Sequence, residues 1–303
     1  MDTYYTNDIS LPWRRAVVSV DQFKKPDIDE IFSLADRLSV GRTMPLTGKS
    51  IINLFYEPST RTSSSFYAAM TRLGGSVIPI NEVNYSSVTK GETLEDTIRT
   101  LESFTDALVL RHYDENATER AVSVASVPII NAGNGAGEHP TQALLDLYTI
   151  SKERDGLNGL NVTLMGDLKH GRTVHSLTKL LRMYNVKINL VSPPELSLPR
   201  SYLHKNDTEH RELGEVIADT DILYVTRVQK ERFSDELEID FSYSVTRSDM
   251  DLAKKNLVLM HPLPRVGEIP IELDSDPRSA YFRQVKYGLY VRMALLVALI
   301  GRD

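Results

Sequence analysis

Two short stretches of the chain concentrate groups able to do chemistry. Pro58-Ser-Thr-Arg-Thr62 sets three hydroxyls and a guanidinium between an apolar run and a helical pattern. At a strand-to-helix junction the first backbone N–H groups lack intrahelical partners, and the positive end of the helix dipole faces outward. With Ser59, Thr60 and Thr62 as extra donors and Arg61 as a bidentate charged fork, this segment can cradle a phosphate. The plainer alternative is that Ser59 or Thr60 only caps the helix and Arg61 is solvated. The Gly-x4-Gly-Lys-Ser/Thr spacing of a P-loop is absent. His139-Pro-Thr-Gln142 brings an imidazole and an amide within one turn of a second helix start. A neutral His139 can donate to a carbonyl oxygen and Gln142 can read an amide. A capping His139 with a solvent-facing Gln142 fits the same spacing.

The remaining candidates are mostly cationic. Gly166-Asp-Leu-Lys-His-Gly-Arg-Thr173 opens a helix after an apolar run, but its glycines lack the Gly-x-Gly-x-x-Gly spacing of a dinucleotide loop. Arg172 there can face a ligand carboxylate or pair with an acid such as Glu57. Arg227 and Gln229 stand two apart, on the same side of an extended loop, which suits a fork around a carboxylate. In His261-Pro-Leu-Pro264 both prolines lack N–H donors, so carbonyl oxygens of the segment can accept from an ammonium or amide ligand; a merely stiff loop is the alternative. Ser86-Ser-Val-Thr-Lys-Gly-Glu92 reads as a mobile polar loop with one cation, Lys90. No His-Glu-x-x-His or carboxylate cluster suggests a metal. Together these turns expect an anionic ligand.

The elements that must position these groups are legible as alternation. Short apolar, β-rich runs recur at Ile51–Phe55, Ala107–Leu110, Val127–Ile130, Val162–Met165, Ile188–Val191, Ile222–Val225 and Leu257–Met260, each followed by a polar turn and a helical pattern. That order predicts an α/β architecture with parallel sheets flanked by helices, one before about residue 135 and one after about 160. Helices are expected over Ser64–Leu73, closed by Gly74-Gly75, over Thr141–Ile150 as a connector, and over Thr173–Leu181. A last apolar helix near Tyr287–Gly301 can pack on either half. Ligands of open parallel sheets bind at the carboxyl ends of strands, at a topological switch point. Every candidate above follows one of the predicted strands or lies in a loop between elements.

Composition narrows the classes. A length of 303 residues favours two domains, and 41% hydrophobic with 25% charged residues is ordinary for a globular protein. A net charge of -6 weighs against a duplex nucleic-acid binder. The longest apolar run, Met293–Ile300, is far short of the ~18 residues that cross a bilayer. The start, Met1–Asp8, has neither the basic nor the apolar region of a secretory signal. With no cysteine, disulfide scaffolds, thiolate zinc sites and cysteine nucleophiles are excluded. A soluble, cytoplasmic protein without membrane or nucleic-acid partners is expected.

In unbroken order from about residue 15 to the end, these segments resemble the aspartate carbamoyltransferase family. The resemblance rests on Phe55–Thr62, Lys90–Thr97, Arg111-His112, His139–Asp146, Gly166–Ser176, Thr226–Arg232, His261–Arg265 and Asp276–Gln284. It implies transfer of a carbamoyl group from carbamoyl phosphate to L-aspartate, an early step of pyrimidine synthesis, with no cofactor and no metal. It implies a first domain over 1–138 binding carbamoyl phosphate, with the helix of 288–303 packing back on it, and a second over 139–287 binding aspartate. Ser59, Thr60, Arg61, Thr62 and Arg111 would hold the phosphate. His139 and Thr62 would polarise the carbonyl, and Gln142 and Pro264 would contact the amide. The Leu263 carbonyl would meet the reacting amine, while Arg172, Arg227 and Gln229 would hold the aspartate. Ser86 and Lys90 would enter from the neighbouring subunit of a homotrimer, itself compatible with a larger assembly, and Lys90 would join the aspartate-binding residues. Glu57 would organise Arg172 and Arg232 on domain closure. The chain departs from the family at Ser63-Ser-Ser-Phe66, where Arg-Leu-Ser-Phe is usual, at Tyr113, where proline is usual, and in a short 233–257 stretch. Ornithine carbamoyltransferases are the nearest rivals, but they carry His-Cys-Leu-Pro where this chain has His261-Pro-Leu-Pro. A non-catalytic subunit would have lost matched positions, and none is lost.

Overall fold

The computed structural model describes residues 15–41, 43–81, 91–227 and 243–301. Its strands, in chain order, are β1 (Ala16–Val17), β2 (Ser50–Phe55), β3 (Ser76–Ile80), β4 (Ala107–His112) and β5 (Ile129–Asn134) in one sheet. The other holds β6 (Asn161–Met165), β7 (Lys187–Val191), β8 (Thr208–His210), β9 (Ile222–Val225) and β10 (Val258–Met260). The helices are α1 (Lys25–Val40), α2 (Thr60–Arg72), α3 (Leu94–Leu101), α4 (Ala117–Val124) and α5 (Pro140–Arg154). They continue with α6 (Arg172–Leu181), α7 (Arg247–Leu252) and α8 (Tyr281–Ile300).

All strand pairings are parallel, in the orders β1-β5-β4-β2-β3 and β10-β9-β6-β7-β8. The expected α/β architecture of two parallel sheets is therefore what the chain builds. Each of the seven apolar runs becomes a strand. The physical reason is visible in β2, where Ile51, Ile52, Leu54 and Phe55 are all buried. A strand covered on both faces must be apolar throughout, and only helices on both sides of a parallel sheet cover it so. Helices α3 and α4 supply part of that cover, with Ile98 and Ala121 packing on Ile52, Leu54, Leu108 and Leu110. In the second sheet Met165, Val191, Val225 and Leu259 share a core with Met250 of α7 and Tyr281 of α8.

The chain divides into two units, one reaching Leu144 and including the stretch from Gly288 onward, the other Leu145–Tyr287. Both divisions fall inside helices, α5 and α8. The sequence reading put the first boundary at 138/139 and the second at 287/288. Helix α2 begins at Thr60 rather than Ser64, which brings Arg61 and Thr62 into its first turn. Helix α5 runs on to Arg154, beyond the end expected at Ile150.

Strand order fixes where a ligand can enter each sheet. After β2 the chain moves outward to β3, and after β4 it moves the opposite way to β5. Neighbours β2 and β4 therefore flank a switch point, and by the same logic β6 and β9 flank one in the second sheet.

Candidate active site

In the first unit the switch point carries Glu57, the cradle segment and Arg111. Strands β2 and β4 pair with Phe55 opposite Arg111, and the Tyr56 N–H donates to the Arg111 carbonyl at 2.8 Å. Glu57 and Arg111 thus leave adjacent strand ends side by side, and Arg111 Nη2 lies 3.2 Å from Glu57 Oε2. Arg111 Nη1 also donates to the Ala132 carbonyl at 3.2 Å. The guanidinium is held by two acceptors, one following β2 and one on β5.

Ser59 takes the N-cap position of α2, yet its side chain makes no capping hydrogen bond. That disfavours the plain capping role and leaves a hydroxyl at the helix mouth. No acidic residue stands in the first turn of α2, α5 or α6, so each mouth keeps its positive character. The start of α2 is pinned from below: Asn53 Nδ2 donates to the Ser63 carbonyl at 3.1 Å. Ser63, where arginine is usual, is buried and donates to Asn81 at 2.9 Å. Two residues further, Arg292 of α8 donates to Ser65 at 2.9 Å, with its guanidinium carbon 5.4 Å from the Phe66 ring centre. The departure Ser63-Ser-Ser-Phe66 is thereby absorbed by packing of α2 and does not touch the four cradle positions.

His139 follows β5 and is buried. Its carbonyl accepts the Gln142 N–H at 3.0 Å, which starts α5, and Thr141 Oγ1 lies 3.4 Å from its Nδ1. The preceding Glu138 fixes the turn, donating its N–H to Asn134 at 2.8 Å and accepting from Ser19 and the Val20 N–H. The first unit thus gathers Ser59–Thr62, Arg111, His139 and Gln142 at strand carboxyl ends or helix starts. A cavity of about 540 Å³ lined by Arg15, Lys49 and Asp106 opens at the opposite, amino end of this sheet, and none of the candidate site residues lines it.

The second unit presents the acceptor candidates. Met165 and Val225 are in register at the ends of β6 and β9, and the Thr226 N–H donates to the Met165 carbonyl at 2.8 Å. The approach is so close that a Cβ on Gly166, whose φ is +115°, would sit 2.2 Å from the Thr226 carbonyl oxygen. Only glycine fits there. From this crossing the chain reaches Arg172, the first residue of α6, while β9 runs directly into Arg227. The loop between is clamped by His175, whose Nε2 donates to the Leu168 carbonyl at 2.9 Å and whose ring stacks on Tyr202 at 4.2 Å. Burial pushes the His175 imidazole below its ordinary range, so it stays neutral. Leu263 and Pro264 follow β10 on the same edge. Sequence reasoning missed Glu268, which grips this loop through His261; the stiff Pro-Leu-Pro segment was the one signal that something must hold it. Ser86, Lys90, Gln229 and Arg232 lie outside the described residues. Among the described residues no group of three His, Asp or Glu is arranged to hold a metal, and no helix is long and apolar enough to cross a membrane.

Residues 15–152 match the family model of the carbamoyl-P binding domain of aspartate/ornithine carbamoyltransferase, and residues 158–299 match that of the Asp/Orn binding domain. The aspartate carbamoyltransferase catalytic subunit of Thermoplasma volcanium is 48% identical over 304 residues, 95% of this chain and 98% of that protein. The multifunctional proteins pyr1-3 of Dictyostelium discoideum and URA2 of Saccharomyces cerevisiae are 50% and 52% identical over 94% and 96% of this chain. The chain spans only 13% and 14% of their lengths. Among solved structures, aspartate transcarbamoylase from Trypanosoma cruzi with carbamoyl aspartate and phosphate superimposes with a TM-score of 0.88 at 45% identity, covering 96% of this chain and 97% of that one. The same enzyme with N-(phosphonacetyl)-L-aspartic acid gives 0.90 at 44%, again covering 96% and 97%.

Proposed function

The chain belongs to the aspartate/ornithine carbamoyltransferase family, and we propose that it transfers the carbamoyl group of carbamoyl phosphate to the amine of L-aspartate. The products are N-carbamoyl-L-aspartate and phosphate, in the synthesis of pyrimidines. The observation that supports this reading is that each unit has its own switch point, the first followed by the cradle segment and Arg111, the second by Arg172 and Arg227.

The chemistry follows from the groups present. The deprotonated amine attacks the carbamoyl carbon, a C–N bond forms, and the C–O bond to phosphate breaks. Charge develops on the carbonyl oxygen, where Thr62, Arg111 and His139 are the donors that lower the barrier. Ser59, Thr60 and Arg61 hold the phosphate, and the departing phosphate takes the amine proton. Gln142 and the carbonyls of Leu263 and Pro264 orient the carbamoyl amide and the incoming amine. Arg172 and Arg227, with Gln229, bind the two carboxylates of aspartate. Holding both anions in one geometry can itself supply roughly 7–11 kcal/mol.

In this reading the enzyme is a cytoplasmic homotrimer in which Ser86 and Lys90 complete a neighbour's site. Glu57 leaves Arg111 for Arg172 and Arg232 when substrates bind. The multifunctional relatives support a place in a larger assembly. Phosphate release from carbamoyl phosphate, followed with L-aspartate or L-ornithine, tests the assignment. Release with aspartate alone is expected; release with ornithine alone, or with neither, overturns it.

A further inference from the structure

The loop that follows β10 is closed on itself by one carboxylate. Glu268 Oε1 lies 2.8 Å from His261 Nε2, and Glu268 Oε2 accepts the Val266 N–H at 2.9 Å. On its other edge the His261 ring accepts the Leu263 N–H through Nδ1 at 2.8 Å. The His261 side chain is 1% exposed and that of Glu268 10%. The backbone of His261 is anchored too: its N–H donates to Gln284 Oε1 at 3.0 Å, and Gln284 Nε2 donates to the buried Asp146 at 2.6 Å.

These contacts settle the protonation of the ring. A backbone N–H can only donate, so Nδ1 must keep its lone pair and the ring proton must sit on Nε2, facing Glu268. Burial pushes the Glu268 carboxyl up, but the His261 and Val266 hydrogen bonds outweigh it and hold the group below its ordinary range. Glu268 therefore stays charged and selects the one tautomer that can grip Leu263. The grip is needed, because Leu263 has φ +58°, a left-handed conformation that is strained for a non-glycine residue. Without an acceptor for its N–H, Leu263 would relax from this φ, and the peptide plane that follows it, which carries the Leu263 carbonyl, would turn with it.

We infer that Glu268 and His261 are positioning residues for the transfer step: their pair sets the direction of the Leu263 carbonyl and so the approach of the amine. The inference rests on the proposed function, in which that carbonyl meets the reacting amine. Neither side chain touches substrate. Their loss should therefore lower kcat far more than it changes the affinity of the phosphate cradle, which belongs to the other unit.

The test uses four variants of the full chain, assayed with saturating carbamoyl phosphate and varied aspartate, with inorganic phosphate binding measured by calorimetry. His261→Asn keeps an acceptor near the Nδ1 position and loses the Glu268 contact. His261→Gln reaches Glu268 and loses that acceptor. Glu268→Ala removes the selector, and the isosteric Glu268→Gln still accepts from Nε2, so it reports if the alanine variant fails to fold. Displacing a reacting group by an ångström can cost roughly 100-fold, so Glu268→Ala and His261→Gln are expected to lose kcat on that order with phosphate affinity unchanged. His261→Asn should recover about tenfold over His261→Gln, and Glu268→Gln should stay nearest to wild type. Wild-type kcat in His261→Gln, equal loss in both His261 variants, or a parallel loss of phosphate affinity overturns the inference. A wild-type chain that transfers nothing to aspartate overturns the proposed function instead.

Discussion

Glu57 Oε2 stands 3.2 Å from Arg111 Nη2, so the acid expected to organise the acceptor arginines is engaged with the arginine proposed to bind phosphate. Both side chains are largely covered, at 26% and 13% exposed. In the proposed reaction an incoming phosphate and Glu57 compete for one guanidinium, which couples phosphate binding to release of Glu57. Glu57→Gln removes the competing charge. With a pair of this kind worth ~1 kcal/mol, inorganic phosphate should bind about 3- to 10-fold more tightly, while the aspartate requirement rises. Calorimetry with phosphate decides it: weaker binding in the variant would mean that Glu57 supports the cradle.

Much of this site was legible because open parallel sheets put their chemistry after strands. Interior strands such as β2 and β4 are buried on both faces and announce themselves as unbroken apolar runs. The strands that escaped reading, β1, β3 and β8, all lie at sheet edges or beside no second neighbour. Two residues suffice for β1; β3 contains Pro79 and is mostly exposed; β8 is Thr208–His210, polar throughout. β1 is too short and β8 too polar to show an apolar run, and in β3 the proline breaks the run that Val77, Ile78 and Ile80 would otherwise make. Glu268 was illegible for a different reason. An acid in a loop has no periodicity, and its partner His261 is identified only once the loop folds back.

Arg61 lies in the first turn of α2, where the cradle needs a charge as well as N–H groups. Arg61→Ala should lower turnover by roughly 10²- to 10³-fold, the usual loss for one preorganised donor to developing charge. Thermal unfolding should stay close to wild type, because the side chain is exposed rather than part of the core. Near-normal turnover in the folded variant would remove Arg61 from the site.

Arg227 should separate acceptor from donor binding. It sits on the second unit, whereas the cradle belongs to the first. Arg227→Ala is expected to raise the aspartate KM by about 100-fold, since a charged hydrogen-bonded partner of a carboxylate is worth up to ~3 kcal/mol. Carbamoyl phosphate affinity should hold within about twofold. Equal loss of both affinities would contradict this division of labour.

The second unit should be sensitive to one phenol. Tyr224 donates to Asp146 at 2.8 Å with both groups buried, and burial holds the phenol well above its ordinary range, so it remains a donor. Tyr224→Phe withdraws that donor from a buried carboxylate. A loss of about 1–3 kcal/mol in urea unfolding, seen as a lower midpoint at unchanged slope, is expected. An unchanged midpoint would show that Asp146 is satisfied without Tyr224.

Acid should loosen the link between α3 and α4. The Arg120 hydrogen bonds hold Glu95 at a pKa of about 2, below its unfolded value. A depressed carboxyl contributes stability that is fully present above the unfolded pKa and is lost as pH falls through the folded one. Wild type should therefore melt above Glu95→Gln at pH 7, with the gap closing between about pH 4.5 and pH 2. The gap should also shrink with salt, because the pair is exposed. A gap independent of pH would assign the effect to packing.

Sharing of sites between subunits makes the last prediction, and it can be tested with two inactive proteins. In the proposed trimer Arg61 and Lys90 serve one site from different chains. Arg61→Ala spoils the site of its own chain, and Lys90→Ala spoils the site of a neighbour. Each pure variant then has three defective sites. In a cyclic trimer the contact is heterologous, so every site takes one chain for its cradle and the next for its lysine. After subunit exchange at equal concentrations, about a quarter of sites combine the intact Arg61 of a Lys90→Ala chain with the intact Lys90 of an Arg61→Ala chain. Another quarter or so carry both defects, and the rest carry one. Recovery of about a quarter of wild-type turnover is therefore expected from the mixture, and none from either variant alone. Mass spectrometry of the intact assembly would establish that exchange has occurred. Hybrid trimers without recovered turnover would mean that each chain holds its own complete site, and that Lys90 acts within the chain that carries it.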